Sequence, residues 1–257
     1  MDPVAFSIGG FAIHWYGIFA AAGLLAGLWT AKRRGERSGL APEIIYDLGM
    51  WVILGGIVGA RLLYVISYWE QFADKPWYEV LKLRGGGLVF YGGLLGALVV
   101  GGLYIRLKQH PFLRLGDVFA PSVALGHAFG RIGCLMTGCC YGRPTEMPWA
   151  IHFPRDHETA GVGVHPTQIY EAAGALVLSL ALARWFPRRR FDGQIFGAYL
   201  IGYAVLRSIV ELFRGDYPTY VLGWMTPAHG VSLLILAAGL LFYWRAPRSR
   251  KEQPVAR

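Results

Sequence analysis

Seven long stretches of apolar residues, separated by shorter polar segments, dominate the pattern of this chain. The hydrocarbon core of a membrane is ~30 Å thick, and a helix needs roughly 20 apolar residues to cross it. Each stretch is close to that length. The pattern therefore predicts an all-α, polytopic membrane protein with about seven transmembrane helices, at residues 11–31, 46–69, 85–105, 115–136, 168–186, 193–213 and 226–244.

Only one of the predicted connections is long. Residues 137–167 are too polar to cross a membrane, and they carry aromatic residues and several histidines. We predict that they form a small external subdomain within one membrane-embedded domain that comprises residues 1–257.

The distribution of charge supports a membrane protein and predicts its orientation. Charged residues make up 16% of the chain, whereas a soluble domain usually carries about 25%. The net charge is +9, and most of the lysines and arginines lie in one alternate set of predicted loops. The positive-inside rule then places the N-terminus outside and the C-terminus in the cytoplasm. Because this excess charge is explained by topology, we expect no nucleic-acid partner.

Ionisable residues inside the predicted spans are the first candidates for chemistry. They are costly in a membrane and usually face a cavity or a charged partner; the five main ones are Arg61, Arg131, Glu171, Arg207 and Glu211. Arg207 and Glu211 are four residues apart, so they share a helix face and can pair. Two surplus buried arginines would suggest a lipid phosphate, which a guanidinium binds bidentately. The alternative is a set of structural salt bridges between helices.

Three cysteines lie in a glycine-rich segment at the end of the fourth predicted span. Cys134, Cys139 and Cys140 could bind zinc together with a histidine, but two of them are adjacent and no CxxC spacing is present. We favour a structural role or an oxidised pair with Cys134 over a metal site or a nucleophile. No metal and no other cofactor is expected.

Two further segments carry groups that could act on protons. In the run from His165 to Glu171, Thr167, Gln168 and Glu171 could cap the fifth helix, which leaves His165 available near neutral pH. Tyr91 follows a run of glycines, at the depth expected for lipid headgroups. An interfacial aromatic residue there is the simpler alternative.

Together these segments resemble the prolipoprotein diacylglyceryl transferases of bacterial inner membranes. The resemblance covers nearly the whole chain and rests on five elements in order. They are the IHWYG motif with His14 and Tyr16, the glycine segment around Tyr91, the GRxG…YGR signature from Gly130 to Arg143, HPTQIYE from His165, and Tyr203…Arg207…Glu211…Arg214.

The resemblance implies transfer of the diacylglyceryl group of phosphatidylglycerol to the lipobox cysteine of a prolipoprotein signal peptide, which forms a thioether and releases glycerol-1-phosphate. It assigns Arg131 and Arg207 to the phosphate and Tyr91 to catalysis, in a multi-pass protein among membrane lipids. Further contacts to the substrates are expected from Tyr16, His14, Gly92, Gly93, Gly142, His165, Glu171, Tyr203, Glu211 and Arg214. Of these, Tyr16 and Tyr203 would shape the pocket, while Glu211 and Arg214 would orient the arginines or gate access.

The chain departs from the family pattern at two places. Well-studied members carry His, the proposed base for the substrate thiol, where this chain has Tyr91. A phenol is a poor base for a thiol unless arginines stabilise the phenolate, so His165 is an alternative acceptor of the proton. Cys134 and Cys139 replace the usual Asn and Glu, which removes any polar contact that those residues make.

Two other functions are compatible with the sequence. Buried arginines also line transport pathways for anionic lipids or solutes, although the internal repeat that would favour a transporter is not apparent. Alternatively, the chain could retain the fold and lack activity because of the changes at Tyr91 and the cysteines.

Overall fold

The computed structural model describes residues 3–9, 11–82, 86–215 and 225–245, and these are mostly helical. The seven α-helices in the described part of the chain confirm the predicted all-α class. They are α1 (Trp15–Glu36), α2 (Pro42–Ser67), α3 (Phe90–Leu107), α4 (Phe112–Thr137), α5 (Thr167–Trp185), α6 (Gln194–Glu211) and α7 (Pro227–Arg245).

Five of these helices are long and apolar enough to cross a membrane. They are α2, α3, α4, α5 with the turn that follows it, and α7. The chain is therefore a membrane protein. Helix α1 ends in a basic segment and α6 contains Arg207 and Glu211, so neither reaches the same apolarity. That α1 and α6 also cross the membrane stays a prediction.

The first predicted span begins too early, because residues 11–14 form a strand. Strand β1 (Val4–Ile8) pairs with antiparallel β2 (Phe11–His14), and Ile8 lies opposite Phe11. The turn between them includes Gly9, whose φ of +55° is in the left-handed region that favours glycine. Two glycines between short apolar runs are a hairpin signal, and α1 starts only after the hairpin, at Trp15.

The third helix also starts later than predicted. We expected a span from residue 85, which lies outside the described residues, whereas α3 begins at Phe90. Gly86 and Gly87 have φ values of +81° and +75°. A right-handed helix has negative φ throughout, so these two glycines keep the chain out of the helix.

The chain divides into two compact units, with boundaries inside α1 and α4. One unit comprises Lys32–Leu115, in which α2 and α3 pack through glycines. A Cβ atom on Gly59 would lie 2.3 Å from the carbonyl oxygen of Gly92, and one on Gly96 would lie 2.1 Å from that of Gly55. The two helices approach closely at these glycines, since no side chain fits between the two backbones.

The other unit comprises Met1–Ala31 with Gly116–Arg257. In it, the Ser122 hydroxyl on α4 donates to the carbonyl oxygen of Gly27 on α1, at 2.7 Å. The fully buried carboxylate of Asp117 accepts the backbone N–H groups of Gly193 and Phe196, at 2.9 and 2.8 Å. Asp117 thus joins the start of α4 to the start of α6. The opposite ends of these two helices carry the candidate site, so Asp117 helps to fix the helices that position it.

The long connection between α4 and α5 contains a short two-stranded sheet. Strand β3 (Ile151–His152) pairs with antiparallel β4 (Gly163–Val164), and Phe153 and Val164 are buried beside them. The connection begins after Thr137 and ends before Thr167; that residues 137–167 form an external subdomain stays a prediction.

Candidate active site

Glu171 in the first turns of α5 is the centre of the candidate site. Its side chain is 1% exposed. One carboxylate oxygen, Oε2, lies 3.0 Å from Nε of Arg131 on α4 and 3.8 Å from Nη1 of Arg207 on α6. The other oxygen, Oε1, lies 2.9 Å from Nε2 of His127. A single buried carboxylate therefore brings together charged groups from three helices.

A second buried carboxylate, that of Glu211, completes the cluster. Nη2 of Arg207 lies 2.5 Å from its Oε2 atom, which confirms the predicted pairing four residues apart on α6. The hydroxyl of Thr226 donates to the Oε1 atom at 2.6 Å. Because Thr226 directly precedes α7, Glu211 also fixes the start of that helix next to α6.

We expected two buried arginines to carry positive charge that no carboxylate matches, and this expectation is wrong. Arg131 and Arg207 are matched by Glu171 and Glu211, because an unpaired charge is too costly to bury. Their hydrogen-bonding capacity is nevertheless not used up. Within the described chain, neither Nη atom of Arg131 has a hydrogen-bond partner, and its side chain is 17% exposed. Nη1 of Arg207 is buried and also lacks a hydrogen bond.

Sequence reasoning missed His127, one helical turn before Arg131. Nε2 of His127 lies 2.9 Å from Oε1 of Glu171, and because a carboxylate oxygen only accepts, His127 Nε2 carries the proton in this contact. Nε of Arg131 lies 3.5 Å from the same His127 nitrogen. The imidazole meets the ring of Tyr203 edge-on, with centroids 5.5 Å apart. A histidine inside a predicted span, four residues from a buried arginine, was the signal that could have found it.

Tyrosines from two helices lie close to this cluster. Tyr203 precedes Arg207 by one turn of α6 and interacts electrostatically with Glu171 and both arginines. Tyr16 near the start of α1 packs against Gly133, where a Cβ atom would lie 3.1 Å from its ring. His14 is exposed at the end of β2. The structure thus brings Tyr16 and Tyr203 to α4 and α6, and shows no contact of His14 with the charged cluster among the described residues.

Backbone hydrogen bonds join the two ends of the α4–α5 connection to each other and to the segment that follows α6. Gly142 N–H donates to the His165 carbonyl at 2.9 Å, and Arg143 N–H donates to that of Phe213 at 2.8 Å. A Cβ atom on Gly142 would lie 2.6 Å from the Cβ of His165. The neighbouring Arg214 is buried and pairs with Gly142 in a β-bridge. Gly142 therefore permits a close crossing of chain segments beside the arginines.

His165 lies in an aromatic group. Its Nδ1 atom lies 3.2 Å from the hydroxyl of Tyr170, which accepts a hydrogen bond from Nε1 of Trp149. Its ring also packs edge-on against Phe213. No contact of the His165 side chain with Arg131 or Arg207 is found in the described residues, which weakens its case as the proton acceptor.

The helix-capping explanation for the start of α5 is wrong. Thr167 and Gln168 donate to the carbonyl oxygens of Cys140 and Cys139, both at 2.7 Å, and Glu171 binds the arginines. These side chains turn away from their own helix because the neighbouring loop offers carbonyl oxygens that lack a helical partner.

Tyr91, Gly92 and Gly93 belong to the other unit. The Tyr91 side chain is 63% exposed and contacts the ring of Phe90. Gly92 and Gly93 face α2, where Gly92 is needed for the close packing with Gly59. Contacts of these three residues with substrates stay a prediction.

Arg61 in the same unit has a structural explanation. Its guanidinium makes no ion pair within the described chain, and it donates to four carbonyl oxygens, those of Glu79, Val80, Gly86 and Gly87. It also stacks on the rings of Tyr64 and Phe72. Arg61 thus fixes the connection between α2 and α3.

The three cysteines are unbonded and close together. Cys134 lies in the last turns of α4, and Cys139 and Cys140 follow in the loop. Their sulfur atoms all lie within 4.8 Å of one another. Hydrogen bonds with the other two thiols, and then the charges of nearby arginines, lower the pKa of the Cys140 thiol although burial opposes this.

The fold and the charged cluster define a class: helical membrane proteins in which two buried carboxylates fix two arginines between the helices. Guanidinium groups held in this way are preorganised for contacts to further oxygen atoms.

Comparison with known proteins gives the particular family. The family model described as prolipoprotein diacylglyceryl transferase matches residues 3–245. The phosphatidylglycerol--prolipoprotein diacylglyceryl transferase of Finegoldia magna is 38% identical over 94% of each chain. The protein of the same name from Clostridium tetani is 36% identical over 98% of this chain and 100% of its own. The chain belongs to the prolipoprotein diacylglyceryl transferase family, and the resemblance found in its motifs is confirmed.

Proposed function

We propose that this chain transfers the diacylglyceryl group of phosphatidylglycerol to the lipobox cysteine of a prolipoprotein, the first step of lipoprotein maturation. Family membership and the names of its relatives support the reaction and both substrates. The observation that carries the proposal is the pair of arginines held by Glu171, in which the Nη atoms of Arg131 and Nη1 of Arg207 form no hydrogen bond with a described residue.

In this reaction the substrate sulfur attacks the glycerol carbon that bears the phosphate. A carbon–sulfur bond forms while the carbon–oxygen bond to the phosphate breaks, and the electron pair leaves with glycerol-1-phosphate. Negative charge therefore accumulates on the phosphate oxygens. Arg131 and Arg207 would bind these oxygens through their remaining nitrogens, and fixed donors of this kind typically lower a barrier by about 3–4 kcal/mol each.

Glu171 and Glu211 act as positioning residues in this proposal. Each arginine uses part of its planar fork on a carboxylate, so the direction of its other nitrogens is fixed. His127 holds the second oxygen of Glu171 and keeps that carboxylate from rotating. Arg214 adds a further positive charge near Arg131.

The thiol proton of the substrate must go to a base. Tyr91 is the candidate that the family pattern supplies, and its exposed phenol is accessible within its own unit. We propose Tyr91 as the group that accepts this proton or positions the headgroup, and the substitutions described in the Discussion separate these roles.

We further propose that the chain lies in the bacterial inner membrane, with the N-terminus outside and the C-terminus in the cytoplasm. The concentration of Lys and Arg in one set of loops supports this orientation. The charged cluster then lies in the outer half of the bilayer, the side on which the signal peptide of an exported precursor presents its cysteine.

The decisive experiment uses the purified full-length protein with phosphatidylglycerol and a synthetic lipobox peptide. Mass spectrometry should find the peptide heavier by one diacylglyceryl group, and the medium should contain glycerol-1-phosphate in equal amount. A peptide with serine in place of the cysteine is the control for thioether formation, and it should remain unmodified.

A parallel measurement tests the rival function. The protein is reconstituted in vesicles, and movement of labelled phosphatidylglycerol between leaflets is followed. Lipid movement without any modified peptide would identify a transporter and overturn the proposal. Absence of both activities, in protein that remains folded, would identify a family member that retains only the fold.

A further inference from the structure

We infer that Cys134, Cys139 and Cys140 form a binding site for one thiophilic metal ion, with three sulfur ligands and one open position. In the sequence analysis, the adjacent positions of two of the cysteines argued against a metal site. The structure removes this objection, since all three sulfur atoms converge to within 4.8 Å of one another.

Backbone geometry explains how adjacent cysteines converge. Side chains of successive residues in extended backbone point in opposite directions. Here Gly138 has a φ of +76° and Cys140 a φ of +63°. The left-handed conformation is uncommon for a residue other than glycine and is enriched at functional sites. This tight turn folds the loop back, so that Cys139 and Cys140 lie beside Cys134 at the end of α4.

The loop is fixed without help from a metal. The carbonyl oxygens of Cys139 and Cys140 accept hydrogen bonds from Gln168 and Thr167, and that of Gly138 accepts one from Nε2 of His157 at 2.9 Å. Because the backbone is held at three successive residues, the thiols are preorganised. Preorganised ligands are a requirement for a specific metal site.

The distances suit metal–thiolate bonds after a small contraction. A zinc–sulfur bond of about 2.3 Å places sulfur ligands roughly 3.8–4.0 Å apart in tetrahedral or trigonal geometry. The upper limit of 4.8 Å seen here exceeds that by less than about 1 Å, a shift that rotation of the cysteine side chains can supply. A disulfide would join only two of the sulfur atoms, and it would not explain why the third lies close as well.

The ligand set selects the class of metal. Three thiolates favour soft or borderline cations such as Zn²⁺, Cd²⁺ and Cu⁺ over Mg²⁺ or Ca²⁺. Three S–H protons pass to solvent as three metal–sulfur bonds form, so a divalent ion leaves one net negative charge. The positive charges of Arg214 and Arg131 act on Cys140 and favour a negative charge at this position.

No histidine completes the site. His157 lines the same cavity of ≈ 500 Å³ as Cys139 and Cys140. Its Nδ1 atom accepts the N–H of Thr159, and its Nε2 donates to Gly138, so both nitrogens are in use. The fourth position therefore faces the cavity, through which an ion can reach the sulfur atoms and where water can complete the coordination.

Metal binding by the untagged, full-length protein tests the inference. The protein is purified in detergent with a thiol reductant, desalted, and titrated with Cd²⁺ or Co²⁺. We expect one ion per chain by elemental analysis and a thiolate-to-metal charge-transfer band in the ultraviolet. Neither readout uses phospholipid or peptide, so failure here leaves the proposed transferase function untouched.

Three variants and one control make the result specific. Cys134→Ser, Cys139→Ser and Cys140→Ser should each weaken binding by more than about 100-fold, beyond the 10–100-fold typical of outer-sphere changes. Cys139 is exposed, so its substitution should leave folding intact. Asp156→Asn, in the same cavity, should keep full binding. Binding that survives the serine variants would overturn the inference, as would reduced protein whose free thiols bind no ion.

Discussion

The Glu171 carboxylate lies 3.0 Å from Nε of Arg131, so the first turns of α5 and the C-terminal part of α4 share one buried ion pair. The same oxygen lies 3.8 Å from Nη1 of Arg207. Arg131 therefore depends on Glu171 for its position, and Arg207 contacts the same carboxylate as well as that of Glu211. The clearest test of the site is to remove the charge of Glu171.

Replacement of Glu171 by Gln should impair both folding and catalysis. Loss of one member of a buried ion pair typically costs about 3–5 kcal/mol, and a displacement of about 1 Å at a reacting group can cost 10²-fold in rate. We expect a clear decrease in thermal stability in detergent and a fall in transfer of about 10²-fold or more. Glu146→Gln, on an exposed loop residue, is the matched control and should change neither. Normal transfer by Glu171→Gln would show that the arginines need no such partner.

Substitutions at the two arginines should distinguish the need for a positive charge from the need for the planar guanidinium group. Arg131→Ala and Arg207→Ala should abolish transfer, and the Lys variants should retain less than about 1% of it, because an ammonium cannot bind a phosphate bidentately. The rate with phosphatidylglycerol in excess, measured beside membrane insertion, checks this expectation. Arg155→Ala, at an exposed position in the connection between α4 and α5, should behave as the unmodified protein. Turnover at the normal rate in an Arg131 or Arg207 variant would remove the phosphate assignment.

His127→Ala should slow transfer less than loss of Glu171 does. It removes one hydrogen bond to a charged group, worth about 1.5–3 kcal/mol, while both arginines keep their carboxylates. His127→Gln can still donate to Glu171 and should restore most of the rate at every pH. If only histidine supports activity, or if the pH profile of the Gln variant loses an ionisation, His127 takes part in proton transfer rather than in positioning.

How far the sequence predicts this site depends on the interaction involved. The pairing of Arg207 with Glu211 follows from helical spacing and is confirmed. The role of Glu171 was not predictable, because the contacts that join α4, α5 and α6 depend on how the helices pack. Local composition left Thr167 equally able to cap α5, and only the folded loop shows that its hydroxyl donates to Cys140.

The boundaries of the helices were likewise predicted only where hydrophobicity alone determines them. Long apolar runs predicted seven helices, and seven are present in the described chain. Two of the errors, at β2 and at the start of α3, occur beside glycines with positive φ. Hydrophobicity alone cannot detect such turns, since Phe11 and Val89 are as apolar in a strand or loop as in a helix.

Tyr91 can be tested without disturbing the fold, because its side chain is 63% exposed. We expect Tyr91→Phe to retain less than about 1% of the transfer rate, in line with the 10²–10⁴-fold typical of general acid–base groups, and Tyr91→His to be active. Phe90→Leu, at the adjacent exposed residue, controls for effects on the surface of α3. Transfer by Tyr91→Phe at near the normal rate would assign the proton to another group and leave Tyr91 as an interfacial residue.

The contact between α2 and α3 makes a prediction about stability that is independent of the reaction. A Cβ atom on Gly96 would lie 2.1 Å from the carbonyl oxygen of Gly55, so Gly96→Ala must push two backbones apart. Overpacking of this kind usually costs about 1–3 kcal/mol. On the same helix, a Cβ atom on Gly102 would meet nothing within 4 Å. Alanine there should be neutral or stabilising by up to about 1 kcal/mol, because it favours the helix.

The two glycine variants are compared by denaturation in detergent, which follows helix content as denaturant is added. Both replace glycine by alanine within α3, so their difference isolates the contact with α2 from helix propensity. We expect Gly96→Ala to unfold at a lower denaturant concentration than the unmodified protein, and Gly102→Ala at the same or a higher one. Equal stability of the two variants would mean that α2 and α3 do not approach as closely in the membrane protein as these glycines indicate.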